Sequence, residues 1–108
     1  MKIGIIVAMD KEFVQLKALL ENATMEQHHK KDFAVGNIGD KDIVIQKCGI
    51  GKVNSAIGAV EMINNYAPDL VISTGVAGGA DVEMNVTDVI VGTSYCYHDA
   101  YCLSLIHI

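Results

Sequence analysis

Tryptophan is absent from this chain of 108 residues, and proline occurs once, at Pro68. Basic residues are also few: Lys and Arg number 8 against 13 Asp and Glu, for a formal net charge of −5. Proteins that bind nucleic acids or anionic membranes rely on clustered positive charge, so the composition disfavours both partners. No apolar run approaches the ~20 residues of a membrane-spanning helix. Lys2 begins a predicted strand, not a signal peptide.

The cysteines have neither the even number of a disulfide framework nor the spacing of a metal site. There are three, Cys48, Cys96 and Cys102. They predict reduced thiols in a cytoplasmic protein. The remaining composition, 51% hydrophobic and 19% charged, is typical of one globular domain with a real core.

The amino-terminal residues predict a strand followed by a helix. Lys2–Val7 is a short apolar strand, and apolar residues then recur at helical spacing from Phe13 to Leu20. Asp10 is the expected N-cap, and Glu12 falls in the first turn, where a negative charge suits the helix dipole.

Three strands are predicted in the middle of the chain. Met25–Lys31 and Asp32–Ile38 are polar and alternate loosely, which is typical of edge strands. Gly39 and Asp40 favour a hairpin turn into a more apolar strand, Asp42–Lys47.

A second helix is predicted by an apolar stripe at i, i+3, i+4, i+7 and i+10, formed by Val53, Ala56, Ile57, Val60 and Ile63. The run Leu70–Thr74 is apolar enough for a central strand of a covered, largely parallel sheet. A further strand is expected from Asp88–Val91 to about Tyr97. This order of elements predicts an α/β protein with a mixed sheet and helices layered against it.

Two glycine-rich segments follow predicted strands. The first, Gly49-Ile50-Gly51-Lys52, lacks the glycine and the Ser/Thr of a phosphate-binding loop, and the Rossmann fingerprint is also absent. No cofactor site is therefore indicated. The second, Gly75–Ala80, would let backbone N–H groups approach a ligand at the carboxyl end of a strand. A tight strand exit without a ligand is the alternative.

Four motifs in register resemble one family. They are MKIGIIVAMDKE (Met1–Glu12), KCGIGKVNSAIGA (Lys47–Ala59), ISTGVAGG (Ile72–Gly79) and YHDA (Tyr97–Ala100). Together they resemble bacterial 5′-methylthioadenosine/S-adenosylhomocysteine nucleosidases over residues 1 to about 100, the amino-terminal half of such enzymes. The resemblance implies a three-layer, mixed-sheet, nucleoside phosphorylase-like fold, truncated here.

The resemblance also implies hydrolysis of the N-glycosidic bond of thioether-bearing adenosines, with release of adenine. Such chemistry passes through an oxocarbenium-like transition state and needs a carboxylate to activate water and an acid for the leaving group. Glu12 matches the family's water-activating carboxylate. Taken without the resemblance, Glu12 would be a solvated first-turn residue that stabilises the helix dipole.

The family's substrate-binding positions fall on two groups of residues. Ala8, Met9 and Ile50 match the apolar lining around the 5′-thio substituent, with simple core packing as the alternative. Val76, Ala77 and Gly78 match the loop along the ribose and base. Family members commonly have Ser in place of Val76, which removes a hydroxyl from the region of the water and ribose.

The end of the chain departs from the family. His98 matches a motif that precedes a segment crossing a dimer interface, although a structural histidine is an equal alternative. Tyr101 replaces the usual Asp, and residues 101–108 do not match. We expect a truncated chain with a tail of foreign origin, with a genuine carboxyl-terminal edge strand as the alternative. The acid that protonates adenine and the residues that grip the ribose and stack on the purine are missing. The chain alone is therefore expected to be inactive.

As implied by the resemblance, the whole enzyme would be a cytoplasmic homodimer without metal or organic cofactor, acting on a small thioadenosine. Two alternatives remain. A nucleoside phosphorylase would use phosphate instead of water, but the acidic segment Ala8–Glu12 contains no arginine to hold it. A non-catalytic nucleoside-binding domain of the same fold is compatible with Val76, whereas the presence of Glu12 disfavours it.

Overall fold

The computed structural model describes residues 1–99. The chain divides into two compact units, of which the first is Met1–Val76 and the second begins at Ala77. Residues 77–99 contain no helix or strand. The elements of the first unit are β1 (Lys2–Val7), α1 (Asp10–Lys17), β2 (Glu21–His28), β3 (Lys31–Ile38), β4 (Lys41–Lys47), α2 (Lys52–Tyr66) and β5 (Leu70–Ser73).

The five strands form one mixed sheet in the order β2-β3-β4-β1-β5. Strand β1 pairs in parallel with β4 on one side and with β5 on the other. The β2–β3 and β3–β4 pairs are antiparallel. The carboxyl ends of β4, β1 and β5 therefore meet at one edge of the sheet, where ligands of α/β proteins bind.

The two helices pack on opposite faces of the sheet because side chains alternate along β1 and β4. On one face, Val7 and Ile45 form a cluster with Phe13 of α1. On the other face, Ile6 and Val44 pack with Met62 of α2. This is the predicted α/β/α layering, and the mixed sheet with its flanking helices confirms the predicted fold class.

Helix α2 lies unusually close to the sheet. A Cβ atom added at Gly58 would come within 2.6 Å of the Cys48 Cβ and 2.7 Å of the Gln46 Oε1, and one at Gly4 within 2.9 Å of the Met62 sulfur. Gln46 is fully buried in this contact, and neither polar atom of its side chain has a hydrogen-bond partner among residues 1–99. The glycines are therefore what permits the close packing.

The apolar stripe predicted for α2 is not its buried face. Val53 is 73% exposed, and Val60 and Ile63 are 55% and 54% exposed. The buried residues of the helix are Gly58 and Met62. Hydropathy predicts the helix correctly but selects the wrong side, because the face that packs on the sheet is chosen by small residues that allow close approach.

Two strand predictions are corrected by the sheet order. Strand β5 is predicted to be central, but among residues 1–99 it pairs with β1 alone, and Leu70, Val71 and Ile72 are 40–47% exposed. Strand β3 is predicted to be an edge strand, yet it lies between β2 and β4. Its polar residues are compatible with this position because Phe33 and Ala34 are fully buried.

The strand predicted from Asp88–Val91 to Tyr97 is absent. Val89, Ile90 and Val91 are between 69% and 90% exposed, and none of them lies in a strand. An apolar, β-branched run favours a strand only where a neighbouring strand accepts its hydrogen bonds. The predicted tail, residues 101–108, lies outside the described residues.

The β2–β3 hairpin turns at His29 and Lys30, whose φ values of 49° and 66° are left-handed. The Tyr66 hydroxyl of α2 donates to Glu26 at 2.7 Å and lies 3.0 Å from the His28 Nε2 atom. Burial and the Glu26 carboxylate raise the pKa of Tyr66, so the phenol remains a donor. The hairpin is thereby fastened to the carboxyl-terminal end of α2.

No helix in the described part of the chain is long and apolar enough to cross a membrane.

A second link between hairpin and helix should be visible in the pH dependence of stability. His29 Nδ1 lies 2.8 Å from Glu61 Oε1, which raises the pKa of His29 above its ordinary 6.5 and lowers that of Glu61 below its ordinary 4.5. The histidine contribution is full below 6.5 and is lost as pH rises through the raised pKa; the glutamate contribution is lost on acidification through the lowered one.

We therefore expect His29→Gln to lower the free energy of unfolding between pH 4.5 and 6.5, where both contributions are full. It should have little effect at about pH 9, where the histidine is neutral. Denaturant unfolding of the wild type and of the His29→Gln variant, once within this pH range and once at about pH 9, measures the difference. An equal loss at both would assign the effect to packing of the imidazole rather than to the ion pair.

Candidate active site

The end of β1 is tied directly to the ends of its two parallel neighbours. The Cys48 amide, just after β4, donates to the Val7 carbonyl at 2.9 Å. The Thr74 amide, just after β5, donates to the Ile6 carbonyl at 3.1 Å. The segments that follow these strands, which contain Met9, Ile50 and Gly75, therefore leave the same edge of the sheet.

Glu12 turns back over the end of β1. Its Oε2 atom accepts hydrogen bonds from the backbone amides of Ala8 at 3.1 Å and Met9 at 3.2 Å. The N-cap of α1 is Met9, not the predicted Asp10, because the Asp10 carboxylate bonds to Lys47 instead. Glu12 is thus held over the strand end rather than extended into solvent as a simple dipole-stabilising residue.

The other oxygen of Glu12 faces the loop after β5. A Cβ atom added at Gly75 would lie 3.0 Å from Glu12 Oε1, closer than nearly all real contacts of that type. Glycine therefore leaves room for the carboxylate. The amides of Ala8 and Met9 both bond to Oε2, so Oε1 keeps the capacity to accept a proton or a hydrogen bond from a small molecule.

An open cleft of about 400 Å³ is lined in part by Ala8 and Met9, whose amides bind this carboxylate, although Glu12 itself is not among its lining residues. Its lining residues are Ala8, Met9, Asp10, Lys47, Gly49, Ile50 and Asn54. The structure thus brings together the three predicted apolar residues Ala8, Met9 and Ile50. Ile50 is 73% exposed, so it does not pack in the core that residues 1–99 form. Met9 is also exposed, whereas Ala8 is half-buried.

Lys47 is the cation of the cleft; it begins the Lys47–Ala59 motif, but the sequence alone assigned it no role. Its Nζ atom lies 2.7 Å from Asp10 and 3.7 Å from Asp32. The hydrogen bond to Asp10 raises the pKa of Lys47, so the ammonium is charged and is matched by two carboxylates. The pair ties the first turn of α1 to the end of β4.

Lys31 and Asn54 are two further polar residues that sequence reasoning missed. Lys31 Nζ donates to the Cys48 carbonyl at 2.6 Å and to Asn54 Oδ1 at 3.2 Å, while Asn54 Nδ2 donates to the Ile50 carbonyl at 2.7 Å. Only the left-handed glycines on either side of Ile50, Gly49 and Gly51 with φ of 93° and 98°, mark this loop as special in the sequence.

The other predicted site residues are not among those that line this cleft. Val76 is the last residue of the first unit and is 80% exposed, whereas Ala77, Gly78 and His98 belong to the second unit.

Cys48 and Cys96 are free thiols, as predicted, and burial raises the pKa of Cys48. Cys102 lies outside the described residues. Within residues 1–99 no group of three or more His, Cys, Asp or Glu could hold a metal ion.

Comparisons with known proteins agree on one family. A sequence model of the phosphorylase superfamily matches residues 2–107. Two relatives are named 5′-methylthioadenosine/S-adenosylhomocysteine nucleosidase. The protein from Hydrogenovibrio crunogenus is 40% identical over 92% of this chain, and the protein from Desulfotalea psychrophila is 43% identical over 93% of it. The chain covers 43% of each of these relatives.

Solved structures of such nucleosidases share the fold. The Colwellia psychrerythraea enzyme, in complex with adenine, superposes with a TM-score of 0.90 and 38% identity over 96% of this chain. The Neisseria meningitidis enzyme, in complex with methylthio-immucillin-A, superposes with a TM-score of 0.88 and 34% sequence identity over 92% of this chain. In both cases the chain spans 43% of the solved structure, less than half its length.

Proposed function

Because this chain belongs to the phosphorylase superfamily, we propose that it is the amino-terminal part of a 5′-methylthioadenosine/S-adenosylhomocysteine nucleosidase. The whole enzyme would hydrolyse the N-glycosidic bond of these thioadenosines and release adenine. The observation that carries the proposal is the placement of Glu12, whose carboxylate is held over the strand end by the amides of Ala8 and Met9, two residues that also line an open cleft.

Glu12 would act as the base that positions and deprotonates the attacking water. Its Oε2 atom is fixed by the amides of Ala8 and Met9, which leaves Oε1 to face the reactants. A carboxylate so oriented needs no rearrangement as positive charge develops on the ribose, and it attracts that charge. The acid that protonates adenine is not supplied by any residue that the resemblance identifies in this chain.

The apolar side of the cleft would hold the 5′-thio substituent. A thioether is soft and poorly hydrated, so Met9, Ile50 and Ala8 suit it. Val76, Ala77 and Gly78 would lie along the ribose and base, chiefly through backbone groups. We further propose that the whole protein is a cytoplasmic homodimer that needs no metal or organic cofactor and binds neither nucleic acid nor membrane.

A phosphorylase is the other activity that the superfamily name suggests. Phosphate is a dianion and needs unpaired positive charge, preferably a guanidinium. The cation of the cleft, Lys47, is already matched by Asp10 and Asp32. Water is therefore the better nucleophile for this site. A non-catalytic nucleoside-binding domain is supported only by Val76, and Glu12 would then serve only to cap the start of α1.

The proposal is tested with a fused enzyme, in which residues 1–99 of this chain precede the part of the Hydrogenovibrio crunogenus relative that follows its matched region. We expect the fused enzyme to release adenine from methylthioadenosine at the same rate with and without phosphate. The 108-residue chain alone is the control and should release none. Strict dependence on phosphate would establish a phosphorylase, and binding without turnover would establish a nucleoside-binding domain.

Replacement of Ile50 by Asp in the fused enzyme should weaken binding of methylthioadenosine with little loss of stability. Ile50 is exposed in the folded unit, so the change costs no core packing, but it places a charge against an apolar substituent. We expect KM to rise by at least ~10-fold, and Ile50→Val serves as the control with near-normal KM. Unchanged KM in a soluble Asp variant would remove Ile50 from the binding site.

A further inference from the structure

We propose that Lys31 and Asn54 are positioning residues that hold the Cys48–Gly51 loop in the shape required for the 5′ end of the substrate. The inference rests on the proposed function, because it assigns a role at the proposed site to Lys31, which lies outside the motifs that suggested that function, and to Asn54, which lies within the Lys47–Ala59 motif. Cys48 at the start of the loop is buried in the core, and the Gly51 carbonyl at its end accepts from the Ser55 amide at 3.0 Å, but the residues between them have fewer contacts.

Beyond Cys48, which packs in the core, the Gly49–Gly51 part of the loop is not fixed by packing of its own side chains. Ile50 is 73% exposed, and its neighbours are two glycines with positive φ. Glycine has the largest conformational freedom in the unfolded chain, so a Gly-Ile-Gly segment is costly to order. Its position must therefore be set through its backbone, and two of its carbonyl groups are in fact bound by side chains.

Lys31 and Asn54 bind those carbonyls as one connected unit. The Lys31 ammonium donates to the Cys48 carbonyl at 2.6 Å and also to Asn54 Oδ1 at 3.2 Å. The Asn54 amide, oriented by that contact, donates to the Ile50 carbonyl at 2.7 Å. The amide can serve both partners only in one orientation, with its oxygen toward Lys31 and its nitrogen toward Ile50.

The two side chains come from separate elements on either side of the loop. Lys31 begins β3, and Asn54 lies in the first turn of α2. Gly49 completes the arrangement, because a Cβ atom there would come within 3.1 Å of Asn54 Nδ2. The two hydrogen bonds of the Lys31 ammonium are part-buried and charge-assisted, whereas the bond from Asn54 to the Ile50 carbonyl is exposed.

The chemical step should depend on a different part of the site. Glu12 is fixed by the amides of Ala8 and Met9, which do not involve Lys31 or Asn54. Loss of either positioning residue should therefore raise KM for methylthioadenosine and leave kcat nearly unchanged. A purely structural role would instead lower stability and the amount of active enzyme, without a selective change in KM.

Lys31→Met in the fused enzyme is expected to raise KM by about tenfold, because one charged hydrogen-bond donor to the loop is lost. Lys31→Arg, which retains charge and donors, should recover most of the affinity. Lys30→Met removes the same charge from the neighbouring residue, which makes no hydrogen bond to the loop, and should match the wild type.

Asn54→Asp separates positioning from stability. The carboxylate still accepts from Lys31 and adds a negative charge to the first turn of α2, which has none. The thermal midpoint should therefore be retained or raised. The variant loses the donor to Ile50, however, and sets an anion against that carbonyl, so KM should still rise by about tenfold.

Steady-state kinetics and thermal unfolding of these four variants test the inference. An active wild-type fusion whose Lys31→Met and Asn54→Asp variants keep a normal KM overturns the inference alone. The inference is also overturned if Lys30→Met raises KM as much as Lys31→Met. A wild-type fusion that binds and hydrolyses no thioadenosine overturns the proposed function, and the inference falls with it.

Discussion

Replacement of Glu12 by Gln in the fused enzyme should reduce kcat by about 10²–10⁴-fold, the usual contribution of a general base. The amide oxygen can accept the same two hydrogen bonds from Ala8 and Met9 that the carboxylate accepts, so the fold of the strand end is retained. The amide nitrogen then faces Gly75 and cannot take a proton from water. Single-turnover release of adenine measures the effect.

Substrate binding should survive this change, since the apolar lining of the cleft is untouched. Calorimetric titration with a non-hydrolysable methylthioadenosine analogue should give an affinity close to that of the wild type. Glu21→Gln, on the exposed strand β2, is the matched control and should have normal kcat. Turnover within a few-fold of the wild type in Glu12→Gln would show that another group activates the water.

Phe33→Ala should be the most destabilising single replacement, at about 3–5 kcal/mol in the free energy of unfolding. Phe33 is fully buried in the cluster under α2, with its ring 5.0 Å from that of Tyr66 and 5.3 Å from that of His28. The loss therefore combines apolar burial, the cavity left behind and two aromatic contacts.

The matched control is Val53→Ala on the exposed side of α2. Val53 is the first residue of the apolar stripe by which the sequence predicts the buried face, yet it is 73% exposed. We expect its replacement to change the free energy of unfolding by less than about 0.5 kcal/mol. Denaturant unfolding of both variants of the fused enzyme compares them. A larger loss for Val53→Ala than for Phe33→Ala would mean that the helix packs on its other side.

The sequence predicts the elements of the first unit well because their patterns are local. The β1–α1 unit, the Gly39–Asp40 turn and the extent of α2 all follow from hydropathy and turn residues within a few positions of one another. Boundaries are less secure. Strand β2 begins at Glu21, before the predicted Met25, because its polar residues carry no apolar pattern and are ordered by pairing with β3.

What the sequence could not predict depends on partners distant in the chain. Within residues 1–99, the pairing of β5 with β1 alone and the absence of a strand at 88–97 depend on which strands are available to pair, not on β-propensity. In the site, Glu12 and Ile50 follow from motif resemblance. Lys31 could not, because only the fold brings the β2–β3 hairpin to the Cys48 carbonyl.

The pairing of β1 imposes an order on folding. Strands β2, β3 and β4 are joined by short turns and can pair as soon as they are synthesised, since such local loops close quickly. Strand β1 is made first, yet its partners are β4, where Lys2 meets Asp42, and β5, where Ile3 meets Leu70. On the ribosome, β1 and the Glu12 segment must therefore wait, unpaired, until most of the first unit has emerged. The cleft lies at the end of β1, so it forms only after β1 has paired with its parallel neighbours, β4 and β5.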